Sequence, residues 1–141
     1  SWMVKPDLIK NSSFDEITRL AREAINHMLG FDIAHIGVNC SDSTEADSVT
    51  NTICEMFGFQ ARMGDASNFA GAGVEILKSK YLGTHGHIAI HTNHVDRAIY
   101  CLKKSAVNFN EETRVVDDNG RTRTIYLKKE IGGFAFHLLQ K

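Results

Sequence analysis

The stretch Ala34-His35-Ile36-Gly37-Val38-Asn39 returns in kind at Gly86-His87-Ile88-Ala89-Ile90-His91, with the same order of small residue, histidine, isoleucine, small residue and apolar residue. Each copy alternates with the period of a half-buried β-strand. Successive strand side chains point to opposite faces, so His35, Gly37 and Asn39 share one face, and His87, Ala89 and His91 share the matching face of the second copy. An imidazole among small residues leaves room for a ligand. If the two copies pair as halves of one sheet, both histidines point into a common hollow.

Working outward, each copy opens the same series of elements. Residues 33–39 form the first strand, and the polar run Ser41-Asp42-Ser43-Thr44 supplies N-caps for a helix that buries Ala46, Val49, Ile53 and Met56 or Phe57 and stops at Gly58. Short β-rich segments follow at 59–63 and 69–77, with a turn at Gly64-Asp65. In the second half a strand at 87–91 leads to Asn93, an N-cap with Asp96 three residues on, and to a helical stripe of Val95, Ala98, Ile99 and Leu102. Strand-like residues 108–116, the hairpin signal Asp118-Asn119-Gly120, a strand at 122–128 and a last strand at 134–139 complete it. The chain is thus α+β, built of two tandem βαβββ modules. Before them, Ser13-Phe14-Asp15-Glu16 has the form of a capping box, and Phe14, Ile17, Leu20, Ala21, Ala24, Ile25 and Met28 make an amphipathic helix closed by Gly30.

A chain of 141 residues is long enough to bury a core, as one domain or one domain with an appended piece. A net charge of −1 argues against a surface built for nucleic acid or an acidic membrane, and Lys103-Lys104 and Lys128-Lys129 read as solvated faces. The odd set Cys40, Cys54 and Cys101 lacks zinc-knuckle or redox spacing, which suits a reducing, cytoplasmic setting. No apolar run reaches membrane-spanning length, and the start does not read as a signal peptide. Beginning with Ser1-Trp2-Met3-Val4, the sequence reads as a fragment of a longer chain.

Four residues stand in equivalent places. His35 and His87 lie in the opening strand of each half, while Glu75 and His137 lie in the matching closing runs Val74-Glu75-Ile76-Leu77 and Phe136-His137-Leu138-Leu139. Three imidazoles and a carboxylate around one hollow would make a site for a first-row divalent metal and would stabilise Glu75 among apolar neighbours. Blander readings stand beside this one. His35 and His87 also fit ordinary half-buried sheet histidines, and Glu75 fits a strand end or a pair with Arg62. His85 is the register alternative to His87. Asn39, Arg62 and His91 are candidate substrate contacts, and Lys78 and Tyr81 further anion contacts, with polar filler as the competing role for Asn39 and His91. His27 and His94 read as surface residues, and Phe134 and Phe136 as core or dimer packing.

The duplicated pattern over residues 31–141 resembles the vicinal oxygen chelate superfamily, which includes glyoxalase I and the extradiol dioxygenases. The resemblance implies curled half-barrels with metal ligands from the first and fourth strands of each module. Those ligands are here His35 and Glu75, then His87 and His137, and the metal is Zn, Ni, Mn or Fe. His137 departs from the pattern, since many members have glutamate there, and the site is correspondingly less anionic. The implied activity is Lewis-acid chemistry on a small oxygenated metabolite, a 2-oxo or hydroxy acid, with no general base assigned.

Residues 1–30 carry a second resemblance. Ser1-Trp2-Met3-Val4, Asp7-Leu8-Ile9 and the helix from Phe14 look like the end of 2-keto-3-deoxy-6-phosphogluconate / 4-hydroxy-2-oxoglutarate aldolases, some bacterial versions of which carry a glyoxalase-like domain after the barrel. It implies that residues 1–30 are the barrel's last helix and linker, with Ser1 a remnant of a phosphate site, and that an aldolase barrel lies upstream. No lysine here takes the Schiff-base role of that lyase. A homodimer or larger homo-oligomer is expected, and the competing function is a non-catalytic dimerisation or metabolite-sensing module.

Overall fold

The computed structural model describes residues 2–141, so Ser1, with the phosphate role read for it, lies outside the described residues. A short helix α1 (Pro6–Lys10) and the amphipathic α2 (Phe14–Leu29) come first. Gly30 closes α2 in the left-handed conformation, as a C-terminal glycine does without a side-chain penalty. The capping box does not form: the Ser13 side chain caps nothing, and Glu16 is held instead by Arg19 one turn on. The end of α2 belongs to the core, where Leu29 is buried beside Val95, Ala98 and Ile99. Its carbonyl accepts from the Thr92 hydroxyl at 2.7 Å and from the Asn93 amide at 2.8 Å.

The first module then runs β1 (Asp32–Asn39), α3 (Ser43–Phe57), β2 (Ala61–Arg62), β3 (Ser67–Ala70) and β4 (Val74–Leu77). The second runs β5 (His87–Thr92), α4 (Val95–Lys103), β6 (Phe109–Val116), β7 (Thr122–Leu127) and β8 (Ala135–Gln140). The run 69–77 is therefore two strands, folded back at Gly71–Gly73. Asp42 caps α3 by accepting from the Glu45 amide, and Glu45 returns to the Ser41 amide and hydroxyl. Asn93 does not cap α4. His94 takes that position, because the Asn93 side chain donates to the Met28 carbonyl and Asp96 is spent on Thr122.

All eight strands form one sheet in the order β2-β3-β4-β1-β5-β8-β7-β6. Within each module the first and last strands pair in parallel, β1 with β4 and β5 with β8, and the modules join where β1 runs antiparallel to β5. Each half is the other turned about an axis between β1 and β5, which is why the two histidine-bearing repeats lie side by side. Both long module helices cover the same face. The α3 residues Ala46, Val49 and Ile53 pack with Cys40, Ala70 and Ile76, and the α4 residues Val95, Ala98 and Ile99 pack with Ile125 and Leu138. The alternate residues of the central strands are left on the helix-free face.

Candidate metal centre

Strand register places the four candidate residues. One row across the sheet reads Phe69, Glu75, Gly37, His87, Ala135, and the next reads His35, Ala89, His137, Tyr126. The imidazoles therefore stand diagonally, with glycine and alanine between them. The small residues do make room, but for the histidines themselves. A Cβ on Gly37 would lie 2.0 Å from Cε1 of His87, so the ring fills that space.

His35, Glu75, His87 and His137 converge. The Nε2 atoms of His35 and His87 are 3.1 Å apart, and Glu75 Oε2 is 3.1 Å from the first and 3.2 Å from the second. The three histidines each offer a nitrogen within 4.8 Å of the others. No distribution of protons satisfies the triangle of His35, His87 and Glu75, because one proton on each imidazole nitrogen always leaves one side unpaired. Separations of this size are what ligands at about 2.1 Å from one first-row ion, roughly at right angles, would show. His137 Nε2 is buried without a hydrogen-bond partner, as is His87 Nδ1. Such orphaned atoms are rare, and the one at His137 is among the nitrogens that could hold an ion.

Neighbouring hydroxyls fix these groups. The Thr124 hydroxyl donates to the Leu138 carbonyl at 2.8 Å, so its oxygen accepts from Nδ1–H of His137 at 2.9 Å. That selects the tautomer with an unprotonated Nε2. Ser67 donates to Glu75 Oε1 at 2.6 Å and leaves Oε2 for the histidines. Burial raises the Glu75 pKa, but hydrogen bonds from His35, His87 and Ser67 outweigh it and hold the carboxylate ionised, well below the usual range. Burial, with the neighbouring His87 and His35, pushes the His137 imidazole down to about 4, so it is neutral at physiological pH. Solvent reaches the cluster at the side chains of His35, 13% exposed, and Glu75, 19% exposed.

Of the other sequence candidates, Asn39 is engaged by a loop. Its amide donates to the Tyr81 and Gly83 carbonyls and accepts from the Tyr81 amide, so it clamps the 78–86 loop. His91 faces the same way as His87 but sits at the far end of β5, level with Asp32 and outside the cluster. His85 is exposed, with its ring on Phe134, which resolves the register in favour of His87. Glu75 does not pair with Arg62, whose guanidinium lies 4.4 Å over the Phe69 ring at the rim. Lys78 is turned to Asp47. Not foreseen were Phe69, edge-on to His35 at 5.8 Å, and Tyr126, stacked on His137 at 4.5 Å and edge-on to Tyr81. Burial, then the nearby Tyr81 and Glu75, raise the Tyr126 pKa and keep it a neutral phenol. The alternate residues Thr124 and Tyr126 are the signal that β7 also lines this face.

No protein-family model matches the sequence, and no curated protein sequence matches it. Solved structures do. The chain is similar to a variant of methylmalonyl-CoA epimerase from Streptomyces coelicolor, in complex with 2-nitronate-propionyl-CoA, at 19% identity over 77% of this chain and 96% of that one, with a TM-score of 0.54. It is also similar to methylmalonyl-CoA epimerase from Mycobacterium tuberculosis, at 16% identity over 80% and 89% of the two chains with a TM-score of 0.53. A hypothetical protein from Bacillus halodurans C-125 gives 17% identity over 79% and 94%, with a TM-score of 0.57. At these identities the likeness is one of fold. The two-module glyoxalase-like fold expected from the sequence is the fold of this chain.

Proposed function

We propose that the chain is a vicinal oxygen chelate domain whose His35, Glu75, His87 and His137 hold one divalent metal ion and which binds or transforms a small 2-oxo or hydroxy acid. The observation that carries this reading is the cluster itself: three imidazoles and a carboxylate from four strands, with the His35, His87 and Glu75 atoms 3.1–3.2 Å apart, a His137 nitrogen within 4.8 Å of the other two imidazoles, and His137 Nε2 buried and unpartnered. A bound divalent ion would supply Lewis-acid stabilisation to negative charge developing on a substrate oxygen. The chain's own residues do the rest. Thr124 and Ser67 hold His137 and Glu75 in their ligating states, the neutral His137 adds no carboxylate charge, and Phe69 and Tyr126 wall the two sides with apolar rings. The likeness of fold to structures of methylmalonyl-CoA epimerase supports a small-molecule role.

The alternative, a non-catalytic dimerisation or sensing module, draws on the helix-covered face, where Phe31, Ile33 and Ile36 are exposed between the two modules. In the same reading residues 1–30 belong to an upstream aldolase barrel, which the exposed Phe14, Ile25 and Met28 of α2 would help to cover. Metal analysis separates the two functions. A stoichiometric divalent ion that is lost in a His35→Ala, His137→Ala double variant supports the first; metal-free protein that stays a stable dimer supports the second.

A further inference from the structure

Arg62 stands on the helix-free face at the outer end of the row that contains Glu75: β2 pairs it with Phe69, and β3 pairs Phe69 with Glu75. Its guanidinium carbon lies 4.4 Å from the centroid of the Phe69 ring, and among the described residues no carboxylate pairs with it. It is exposed, while the ring beneath it is half-buried against His35. A guanidinium held over a ring by its charge, with no carboxylate partner, keeps N–H donors that fit a carboxylate with two parallel hydrogen bonds. Lys78, the other cation read from the sequence as an anion contact, is engaged with Asp47. One planar cation, with Lys78 turned away to Asp47, matches a carboxylate better than a phosphate dianion.

Resting on the proposed metal centre, we infer that Arg62 anchors a carboxylate at the end of the ligand remote from that centre, so that the ligand is a small dicarboxylate carrying a 2-oxo or hydroxy group. Arg62 and Glu75 are two strand spacings apart, about 10 Å. The arginine side chain leaning over Phe69 covers part of that span, and a chain of about five carbons covers the remainder. The Phe69 ring gives this chain an apolar floor. The preference for a second carboxylate would then reside in β2, a strand of two residues that takes no part in the metal cluster.

The test is calorimetric titration of the Mn2+-loaded chain with 2-oxoglutarate and with 2-oxopentanoate, which lacks only the second carboxylate. The wild type is expected to prefer the dicarboxylate by about tenfold to a hundredfold, the range of a charge-assisted pair. Arg62→Gln is expected to abolish that preference while leaving metal content and the affinity for 2-oxopentanoate unchanged, and Arg62→Lys to keep part of it. Equal affinity of the wild type for the two acids, or a preference that survives Arg62→Gln, overturns the inference. Binding of neither acid at full metal loading also overturns it and leaves the metal centre standing. A chain that takes up no metal removes both.

Discussion

The ring of His87 lies on the bare backbone of Gly37, its partner across the β1–β5 seam, so closely that any Cβ at position 37 would overlap Cε1, Nδ1 and Nε2 of the imidazole. The seam between the two modules is thus also the seat of one ring of the cluster. Gly37→Ala is expected to displace His87, lower stability by about 1–3 kcal/mol and reduce metal stoichiometry below that of the wild type. Gly73→Ala, at a turn glycine with open space around it, is the control and should change neither. Thermal unfolding and metal analysis of the two variants check this. Full metal content in the Gly37→Ala variant would show that the His87 ring has freedom to move.

Thr124 is the second lever, because it reaches the cluster through His137. Thr124→Val removes the acceptor of Nδ1–H at nearly constant volume. Leaving that buried group unpaired costs about 1–3 kcal/mol, and loss of an outer-shell partner typically lowers metal affinity 10–100-fold. Thr124→Ser should restore most of both. Competition with a fluorescent chelator reads the affinity, and equal affinity in all three proteins would remove Thr124 from the site.

How far the sequence led is visible in particular residues. The repeated histidine strands, Gly30 and Gly58 as helix stops, and the Asp-Asn-Gly turn were legible, because period-two alternation and positive-φ glycines are local signals. The convergence of His35, Glu75, His87 and His137 was legible only because the modules repeat. The loop clamp at Asn39 is not legible in the sequence, because strand parity says which face a side chain takes but not that an irregular loop will fold back over it. Ser13 and Asn93 read as caps and are not, for a related reason: once α2 is formed and docked, Arg19 holds Glu16, and the Met28 carbonyl holds the Asn93 side chain itself. Thr124 and Ser67 could not be paired with His137 and Glu75 without the β7–β8 and β3–β4 registers.

The clamp at Asn39 has its own consequence. Asn39→Ala frees two carbonyls and an amide of the 78–86 loop, at a cost of about 1–3 kcal/mol. Faster amide exchange should be confined to that loop and the adjoining end of β1, while metal content stays at the wild-type level. A loss of ligand affinity larger than the loss of stability would mark Asn39 as a ligand contact as well as a clamp.

The metal-free protein should also weaken in mild acid, and His137 sets the sign. Its folded-state pKa, about 4, lies below the ordinary histidine value of about 6.5, so between those values the unfolded chain binds a proton that the folded chain does not. Stability is therefore intact above pH ~6.5 and falls as pH drops toward 4, by roughly 2–3 kcal/mol in total. Glu75 works in the same direction at lower pH: its depressed pKa stabilises the folded state above the ordinary carboxylate range, and that contribution disappears only as the carboxylate is finally protonated. Urea unfolding at intervals between pH 7.5 and about 3, with chelator present, measures the slope. His137→Gln should flatten the part between pH 6.5 and 4 and leave the part due to Glu75. An unchanged slope in that variant would mean that the imidazole takes up its proton without unfolding the sheet around it.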